Sequence, residues 1–265
     1  MNPPESERRP YRTVARVRTD FPSKFGVPRQ AGMVPELLAR VVLEPDFRDP
    51  AWIRGIEGFS HLWLVWEFSL STGAPSSTVR PPRLRGSRMG VFATRAPLRP
   101  NPIGLSSVRL QAVELDGPDG PVLLVSGVDL VDGTPVLDIK PYIPLDCHPD
   151  ATSGFIGEHP EPEIQVVVTD EQLAAVPPQR RTALLGVLRA DPRPTQLHNP
   201  ERVYGLPFAG LDVRFRFDGR LLTVVSIGPL DPRADARWPG YRAERARSAQ
   251  REMRSTRLFQ RWSRT

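Results

Sequence analysis

The strongest constraint on the fold is a series of short apolar segments in the first 145 residues, separated by turn-forming residues. The segments cover residues 11–18, 37–44, 61–70, 108–115, 122–130 and 136–139. Turn dipeptides interrupt them, and the whole chain contains 31 prolines. Because proline lacks a backbone N–H and breaks helices, this spacing favours many short strands over long helices.

We expect these strands to form a mostly antiparallel sheet that closes into a barrel. Residues 61–70 (HLWLVWEFSL) are almost continuously apolar, which predicts a strand covered on both faces. Asp132-Gly133 is a turn pair that predicts a hairpin between residues 122–130 and 136–139. Closure removes exposed sheet edges. No G-x-G-x-x-G motif follows a strand, which disfavours a dinucleotide-binding α/β domain.

After residue 150 the pattern changes to that of a small α+β unit. Residues 159–163 (HPEPE) have the composition of a linker. The sequence Thr169-Asp170-Glu171-Gln172 is a capping box that begins a short helix. Pro177-Pro178 begins a second helix, whose predicted apolar face is Leu184, Leu185 and Leu188. Asp218-Gly219 predicts a hairpin between residues 211–217 and 221–227.

The predicted fold class is therefore mainly β, with a closed antiparallel β-barrel domain at the N-terminal side and a small α+β domain at the C-terminal side. Four segments are expected: a disordered N-terminus over residues 1–10, the barrel over 11–155, the small domain over 160–232, and an arginine-rich tail over 233–265. The tail either tracks nucleic acid or forms a helix on a partner subunit through Leu258, Phe259 and Trp262.

The composition favours a cytoplasmic protein with a polyanionic partner. The formal net charge is +6 and the pI about 10.2. The single cysteine, Cys147, cannot form an internal disulfide, and its pairing with His148 lacks the spacing of a zinc motif, so no metal is expected. No apolar run reaches the roughly 18 residues of a membrane span, and no secretory signal is expected at the start.

The region between Glu67 and Glu114 contains seven arginines and no acidic residue. Seven cations without a compensating anion repel one another, which favours binding of an anion such as a nucleic-acid backbone. A solvated basic loop is the alternative. The arginines are Arg80, Arg83, Arg85, Arg88, Arg95, Arg99 and Arg109.

Two other clusters carry chemically useful groups. FPSKFGVPRQ (residues 21–30) places Lys24, Arg29 and Gln30 in a loop stiffened by proline. DLVDGTPVLDIKPY (residues 129–142) places Asp138, Lys140 and Tyr142 at alternate positions, so an extended strand presents all three on one face. Spacing alone leaves open whether they form an active site or a structural salt bridge on the barrel rim.

Six motifs in this order resemble the TrmO family, also called TsaA-like. They are FPSKFGVPRQ, GFSHLWLVWEF, VRPPR, RMGVFATR, RPNPIGLS and DLVDGTPVLDIKPYIP. The resemblance covers about residues 11–146 and continues through ADPRP and YGLPFAGLDVRF in the second domain. The arginine-rich tail has no counterpart in the family pattern.

The resemblance implies a β-barrel methyltransferase that uses S-adenosylmethionine, acts as a homodimer on tRNA, and modifies N6 of a threonylcarbamoylated adenosine at position 37. It implies a cofactor site formed by Pro28, Arg29, Gln30, Ser60, His61, Leu62, Arg88, Leu98, Asp129, Leu130, Val131, Asp132 and Gly133. The residues expected to contact tRNA are Lys24, Arg80, Arg83, Arg85, Arg95, Arg99 and Tyr204.

The expected chemistry assigns roles to four further residues. The nitrogen of a ureido group is a weak nucleophile with a relatively acidic proton, so a proton acceptor and a nearby cation assist its methylation. Asp138 is the candidate acceptor, Lys140 the candidate cation, and Tyr142 a candidate stacking or donor group. Asn101 is expected to hold the edge of the base.

Two alternatives to this function stay open. The barrel could be a cofactor-sensing or RNA-binding module without chemistry, although the complete set of motifs favours an enzyme. The methyltransferase could also act on another RNA base or a small molecule, although the second domain and the basic tail favour an extended RNA.

Overall fold

The computed structural model describes residues 11–71, 73–84, 86–159, 163–193 and 201–231. Residues 1–10, Arg85 and the arginine-rich tail lie outside this part, and with them the predictions made for Leu258, Phe259 and Trp262. Among the described residues, no helix has the length and apolarity needed to cross a membrane.

The N-terminal part forms a closed antiparallel barrel of six strands, which confirms the predicted fold class. Around the barrel the order is β1-β2-β7-β6-β3-β8. The six strands are β1 (Ala15–Arg18), β2 (Leu38–Leu43), β3 (His61–Glu67), β6 (Ile103–Glu114), β7 (Val122–Ser126) and β8 (Pro135–Pro141). Two short strands outside the barrel, β4 (Thr78–Val79) and β5 (Met89–Gly90), pair with each other.

Alternation of apolar residues fills the barrel interior. On β3, Leu62, Leu64 and Trp66 are buried, whereas the residues between them are half-buried. The strand predicted for residues 61–70 therefore exists, over His61–Glu67, but its two faces are not equally covered. Short 3-10 helices occupy the connections, at Pro45–Phe47, Pro50–Ile53, Ile56–Gly58, Pro82–Leu84, Val91–Ala93 and Pro144–Asp146.

The hairpin predicted at Asp132-Gly133 is wrong. The turn itself is present, because the Thr134 N–H donates to the Val131 carbonyl at 3.2 Å and Gly133 has φ 78°. However, β7 pairs with β2 and β6, whereas β8 pairs with β1 and β3. The turn therefore lies in a connection across one end of the barrel.

The C-terminal part is a four-stranded sheet with two helices, as the α+β prediction states. The sheet order is β10-β11-β12-β9, in which β9 runs parallel to β12. The strands are β9 (Gln165–Val167), β10 (Tyr204–Phe208), β11 (Leu211–Asp218) and β12 (Leu221–Pro229). The helices are α2 (Asp170–Ala174) and α3 (Pro178–Arg189), and one short helix, α1 (Phe155–Glu158), precedes them.

The capping box and the second hairpin are confirmed. The Thr169 hydroxyl accepts from the Gln172 N–H at 3.2 Å, and the Gln172 side chain accepts from the Thr169 N–H at 3.0 Å. The apolar face of α3 differs from the prediction: Ala183, Leu184, Val187 and Leu188 are buried, whereas Leu185 is half-buried. The core of the C-terminal sheet is continuous with that of the barrel.

Candidate functional site

Three connections meet at one end of the barrel. They are the PRQ loop (residues 19–37, between β1 and β2), the arm (68–102, between β3 and β6) and the DLVDG loop (127–134, between β7 and β8). The Gly32 N–H donates to the Gly127 carbonyl at 2.8 Å, and the Asp132 N–H donates to the Phe21 carbonyl at 2.8 Å. The fold thus brings together three motifs that are far apart in sequence.

Gln30 joins the PRQ loop to the arm. Its amide nitrogen donates to the Arg29 carbonyl at 2.7 Å, and its amide oxygen accepts a hydrogen bond from the Arg95 guanidinium. Pro28 is buried and Arg29 half-buried. Lys24, at the start of the loop, donates to the Leu70 carbonyl of the arm. The side chains of Lys24 and Gln30 therefore hold the PRQ loop against the arm.

A chain of hydrogen bonds leads from the barrel interior to Asp129. The indole N–H of Trp66 donates to the Ser106 hydroxyl at 2.9 Å, and the Ser106 hydroxyl donates to Asp129 Oδ1 at 2.6 Å. Because indole is only a donor, the single Ser106 proton is directed at the carboxylate. Gly104 makes room for this arrangement, since a Cβ there would lie 2.3 Å from Trp66 Cε2.

Burial raises the pKa of Asp129 above its ordinary value. The hydrogen bond from Ser106, a backbone hydrogen bond from Ala31 and the positive charge of Arg95 oppose this effect in part. Ala31 follows Gln30 directly, so the carboxylate lies beneath the PRQ loop. Sequence reasoning did not assign a role to Ser106 or Trp66, although both belong to motifs quoted above.

The rest of the DLVDG loop mainly supports the barrel end. Leu130 is 1% exposed and packs in the core, and its carbonyl accepts a hydrogen bond from the Thr19 hydroxyl at 3.1 Å. Asp132 Oδ1 accepts from the Thr19 N–H at 3.0 Å, and its carboxylate lies 3.9 Å from Arg18. Val131 and Gly133 form the turn and are half-buried.

The SHL segment borders a row of residues on the outer face of the barrel. His61 pairs with Arg109, which pairs with Ser126, the residue before Gly127. Two strand spacings separate His61 from Ser126, or roughly 10 Å. The Ser60 hydroxyl lies 2.9 Å from His61 Nδ1, whereas Leu62 is fully buried and faces the interior.

Asp138, Lys140 and Tyr142 share this outer face, as their alternation predicts. Lys140 Nζ lies 2.7 Å from Asp138 Oδ2, and both side chains are largely exposed. The Tyr142 ring lies 6.1 Å from the His61 ring and 5.3 Å from that of Trp63. The outer face thus combines an ion pair with three neighbouring rings, and the predicted catalytic roles stay predictions.

Several arginines of the arm have internal partners. Arg83 donates to the carbonyls of Ile156 and His159, at 3.2 and 2.9 Å. One guanidinium nitrogen of Arg99 lies within hydrogen-bond distance of three carbonyls of the arm, and Arg88 donates to the Thr78 hydroxyl at 2.7 Å. These contacts stabilise the arm itself. Arg80 and Arg109 are exposed, and Arg95, also exposed, donates to Gln30.

The three remaining residues that the sequence predicted for the site differ in burial. Asn101 is exposed at the base of the arm, and Leu98 packs on Gly73. Tyr204 is 4% exposed, and its ring stacks on Phe215 with centroids 5.7 Å apart. The prediction that Tyr204 contacts tRNA is therefore corrected: the side chain is part of the core of the C-terminal sheet.

Two shallow depressions border these elements. One, of about 430 Å³, lies on the arm between Pro75, Val91, Phe92 and Pro100. The other, of about 350 Å³, lies beside Ser60 and is lined by Gln111. In the part of the chain that the structure describes, no three metal-ligating side chains are grouped as they would be around an ion.

Comparison with known proteins identifies relatives over both domains. A model of the tRNA-methyltransferase O N-terminal domain matches residues 16–147, and one of the TrmO C-terminal domain matches residues 161–230. A tRNA (adenine(37)-N6)-methyltransferase of Escherichia coli is 38% identical over 230 residues, which are 83% of this chain and 97% of the relative.

A sequence and a solved structure from Pseudomonas aeruginosa are also similar. The sequence bears the name of a candidate S-adenosylmethionine-dependent methyltransferase and is 40% identical over 212 residues, covering 76% of this chain and 89% of the relative. The solved structure is a crystal structure of TrmO with 33% sequence identity and a TM-score of 0.67, and the match covers 83% of this chain and 99% of that one.

Proposed function

The chain belongs to the TrmO family, and we propose that it is an S-adenosylmethionine-dependent tRNA methyltransferase that acts on N6 of adenosine 37. The observation that carries this proposal is the meeting of the PRQ loop, the arm and the DLVDG loop at one barrel end. This end also adjoins the outer row that leads to His61 and Tyr142.

The residues at this end fit the cofactor. S-adenosylmethionine supplies an activated methyl group on a sulfonium, together with an amino-acid carboxylate and an adenine. A guanidinium binds a carboxylate through two parallel hydrogen bonds, so Arg29 is the residue expected to hold that group. The backbone of the PRQ and DLVDG loops and the ring of His61 offer polar and planar surfaces to the nucleoside.

Methyl transfer is an in-line displacement, so most of the rate comes from holding nitrogen, carbon and sulfur in line. The substrate nitrogen loses a proton when it gains the methyl group, and Asp138 is the residue that we propose accepts it. Lys140 Nζ, at 2.7 Å from that carboxylate, offers positive charge to a deprotonated ureido group. Tyr142 offers a ring for stacking, and Asn101 a side-chain amide for the base edge.

Three finer features belong to the same proposal. The adenosine bears a threonylcarbamoyl group before methylation, the enzyme is a homodimer, and it works in the cytoplasm. The family resemblance supports the first two, and the single exposed cysteine is compatible with a reducing compartment. The exposed Arg80 and Arg109 are available to bind tRNA phosphates.

The test is mass spectrometry of nucleosides from tRNA incubated with protein and cofactor. Two tRNA preparations are compared, with and without the threonylcarbamoyl group. A gain of one methyl group on the modified nucleoside alone supports the full proposal. If both preparations are methylated, the protein is a tRNA methyltransferase that does not require the threonylcarbamoyl group. If neither preparation is methylated, the proposed activity is contradicted.

A further inference from the structure

The start of the PRQ loop is bound to the C-terminal domain. The Ala209 N–H donates to the Asp20 carbonyl at 3.0 Å, and Arg180 Nε of α3 lies 3.0 Å from Asp20 Oδ2. The Phe21 ring meets Phe208 of β10 edge to face, with centroids 5.4 Å apart and both side chains fully buried. Backbone, charge and packing contacts therefore coincide at this point.

The loop makes two further contacts with the C-terminal domain, one on each side of Pro28-Arg29-Gln30. Each contact involves a glycine that is packed too closely to carry a methyl group. A Cβ on Gly26 would lie 2.1 Å from Leu206 Cδ1, and one on Gly186 of α3 would lie 2.5 Å from Val34 Cγ1. Val34 is 2% exposed and β-branched, so it has little freedom to move away. The PRQ segment thus lies between two close contacts with the other domain.

We propose that the C-terminal domain is a positioning element of the cofactor site: α3 and β10 fix the conformation of the PRQ loop and thereby the affinity for S-adenosylmethionine. The opposite side of the loop is bound to the DLVDG loop through Gly32 and Phe21. A loop held from both sides transmits a shift of Val34 to Arg29, because it cannot relax into solvent. This inference rests on the proposed role of the PRQ loop in binding the cofactor.

The first test is Gly186→Ala in the full chain, with cofactor affinity measured by calorimetry. The new methyl group displaces Val34, and we expect the dissociation constant to rise about tenfold. Val34→Ala in the same chain removes the clash, and the double variant is expected to return to within about twofold of the parent. Gly228→Ala is the matched control, because a Cβ at that position of the same domain meets nothing within 4 Å.

The second test removes the ion pair. Arg180→Gln is expected to weaken cofactor binding, whereas Arg189→Gln, an exposed arginine on the same helix, is expected to leave it unchanged. If Gly186→Ala does not fold, the comparison of Arg180→Gln with Arg189→Gln still tests the positioning role. The affinity for tRNA is measured on the same variants, because a domain that only binds RNA would change that affinity instead.

The two proposals fail in different ways. A parent protein that does not bind S-adenosylmethionine contradicts the proposed function. A parent that binds it, together with folded Gly186→Ala and Arg180→Gln variants of equal affinity, overturns the positioning role. Loss of affinity in Gly186→Ala without recovery in the double variant also overturns it, since general destabilisation would then be the cause.

Discussion

Arg29 is the residue that we propose holds the carboxylate of the cofactor. It lies between a buried proline and a glutamine that is bound to the arm, so its backbone position is fixed on both sides. A charge-assisted hydrogen bond from a side chain on a fixed backbone contributes more to affinity than one from a mobile loop, because less conformational entropy is lost on binding.

We therefore expect Arg29→Ala to lower cofactor affinity roughly ten- to a hundredfold, which corresponds to the loss of about 1.5–3 kcal/mol for a charged hydrogen bond. Calorimetric titration with S-adenosylmethionine measures this. Arg54→Ala, at an exposed position in the connection between β2 and β3, is the control. A folded Arg29→Ala protein with the affinity of the parent would show that this side chain does not hold the cofactor.

Asp129 predicts a specific dependence of stability on pH. Its pKa is raised in the folded protein, chiefly by burial, above the 3.8 of an ordinary aspartate. Between these two pKa values the folded state keeps a proton that the unfolded state has lost, so the free energy of unfolding falls as pH rises through this window. The Asp129→Asn variant has no carboxyl proton at this position, so its free energy of unfolding does not show this decrease with pH.

Denaturant unfolding of the parent and of Asp129→Asn, from about pH 4 to pH 8, measures the difference. The parent should lose about 1.4 kcal/mol relative to the variant for each pH unit that separates the two pKa values. Ser106→Ala is the complementary variant, because it removes a hydrogen bond that lowers the pKa. Parallel pH curves for parent and Asp129→Asn would contradict a raised pKa.

At the residue scale, the sequence motifs predicted which residues lie near one another better than they predicted which of those side chains are buried. Arg29, Gln30 and Asp129 were singled out by motif, and the fold brings them together. Tyr204 and Leu130 were singled out in the same way, yet their rings and methyl groups fill the core. A motif does not show which of its residues face inward, because that depends on strands elsewhere in the chain.

At the scale of secondary structure, β8 carries the proposed catalytic group on its outer face. We expect Asp138→Asn to lower turnover about 10²–10⁴-fold with little change in cofactor affinity, because general-base assistance typically contributes that much. Lys140→Met, which keeps the stem and removes the charge, tests the cation separately. The measurement is single-turnover methylation of tRNA. Parent rates in both variants would leave the ion pair a purely structural role.

The strands themselves were largely predictable, but their pairing was not. Alternation and turn residues located the strands near Leu62, Val125 and Val136, because each of these patterns is local. The Asp132-Gly133 turn suggested that the flanking strands pair with each other, and in the barrel they do not. Closure places β1 between β2 and β8, which is a long-range outcome that no local pattern contains.

At the scale of the whole molecule, we expect the exposed arginines to determine how tRNA binding depends on salt. We expect the logarithm of the affinity to fall linearly with the logarithm of salt concentration, and Arg80→Gln or Arg109→Gln to reduce the slope by about 0.7–0.9 each. Arg83→Gln should instead lower thermal stability, because that side chain binds carbonyls near α1. Filter binding over a salt series measures the slopes, and equal slopes in all variants would exclude these phosphate contacts.

The contact between Phe21 and Phe208 also sets an order of events during synthesis. A ribosome delivers the PRQ loop early and β10 late, and the five barrel strands other than β1 emerge in between. The barrel strands can pair before the C-terminal sheet exists, but Phe21 then has no partner ring and its apolar surface faces water. If the barrel strands pair before β10 is translated, the PRQ loop at that stage lacks the contacts that the C-terminal domain supplies. The PRQ loop therefore gains its full set of contacts only after β10, more than 160 residues later in the chain, has been translated.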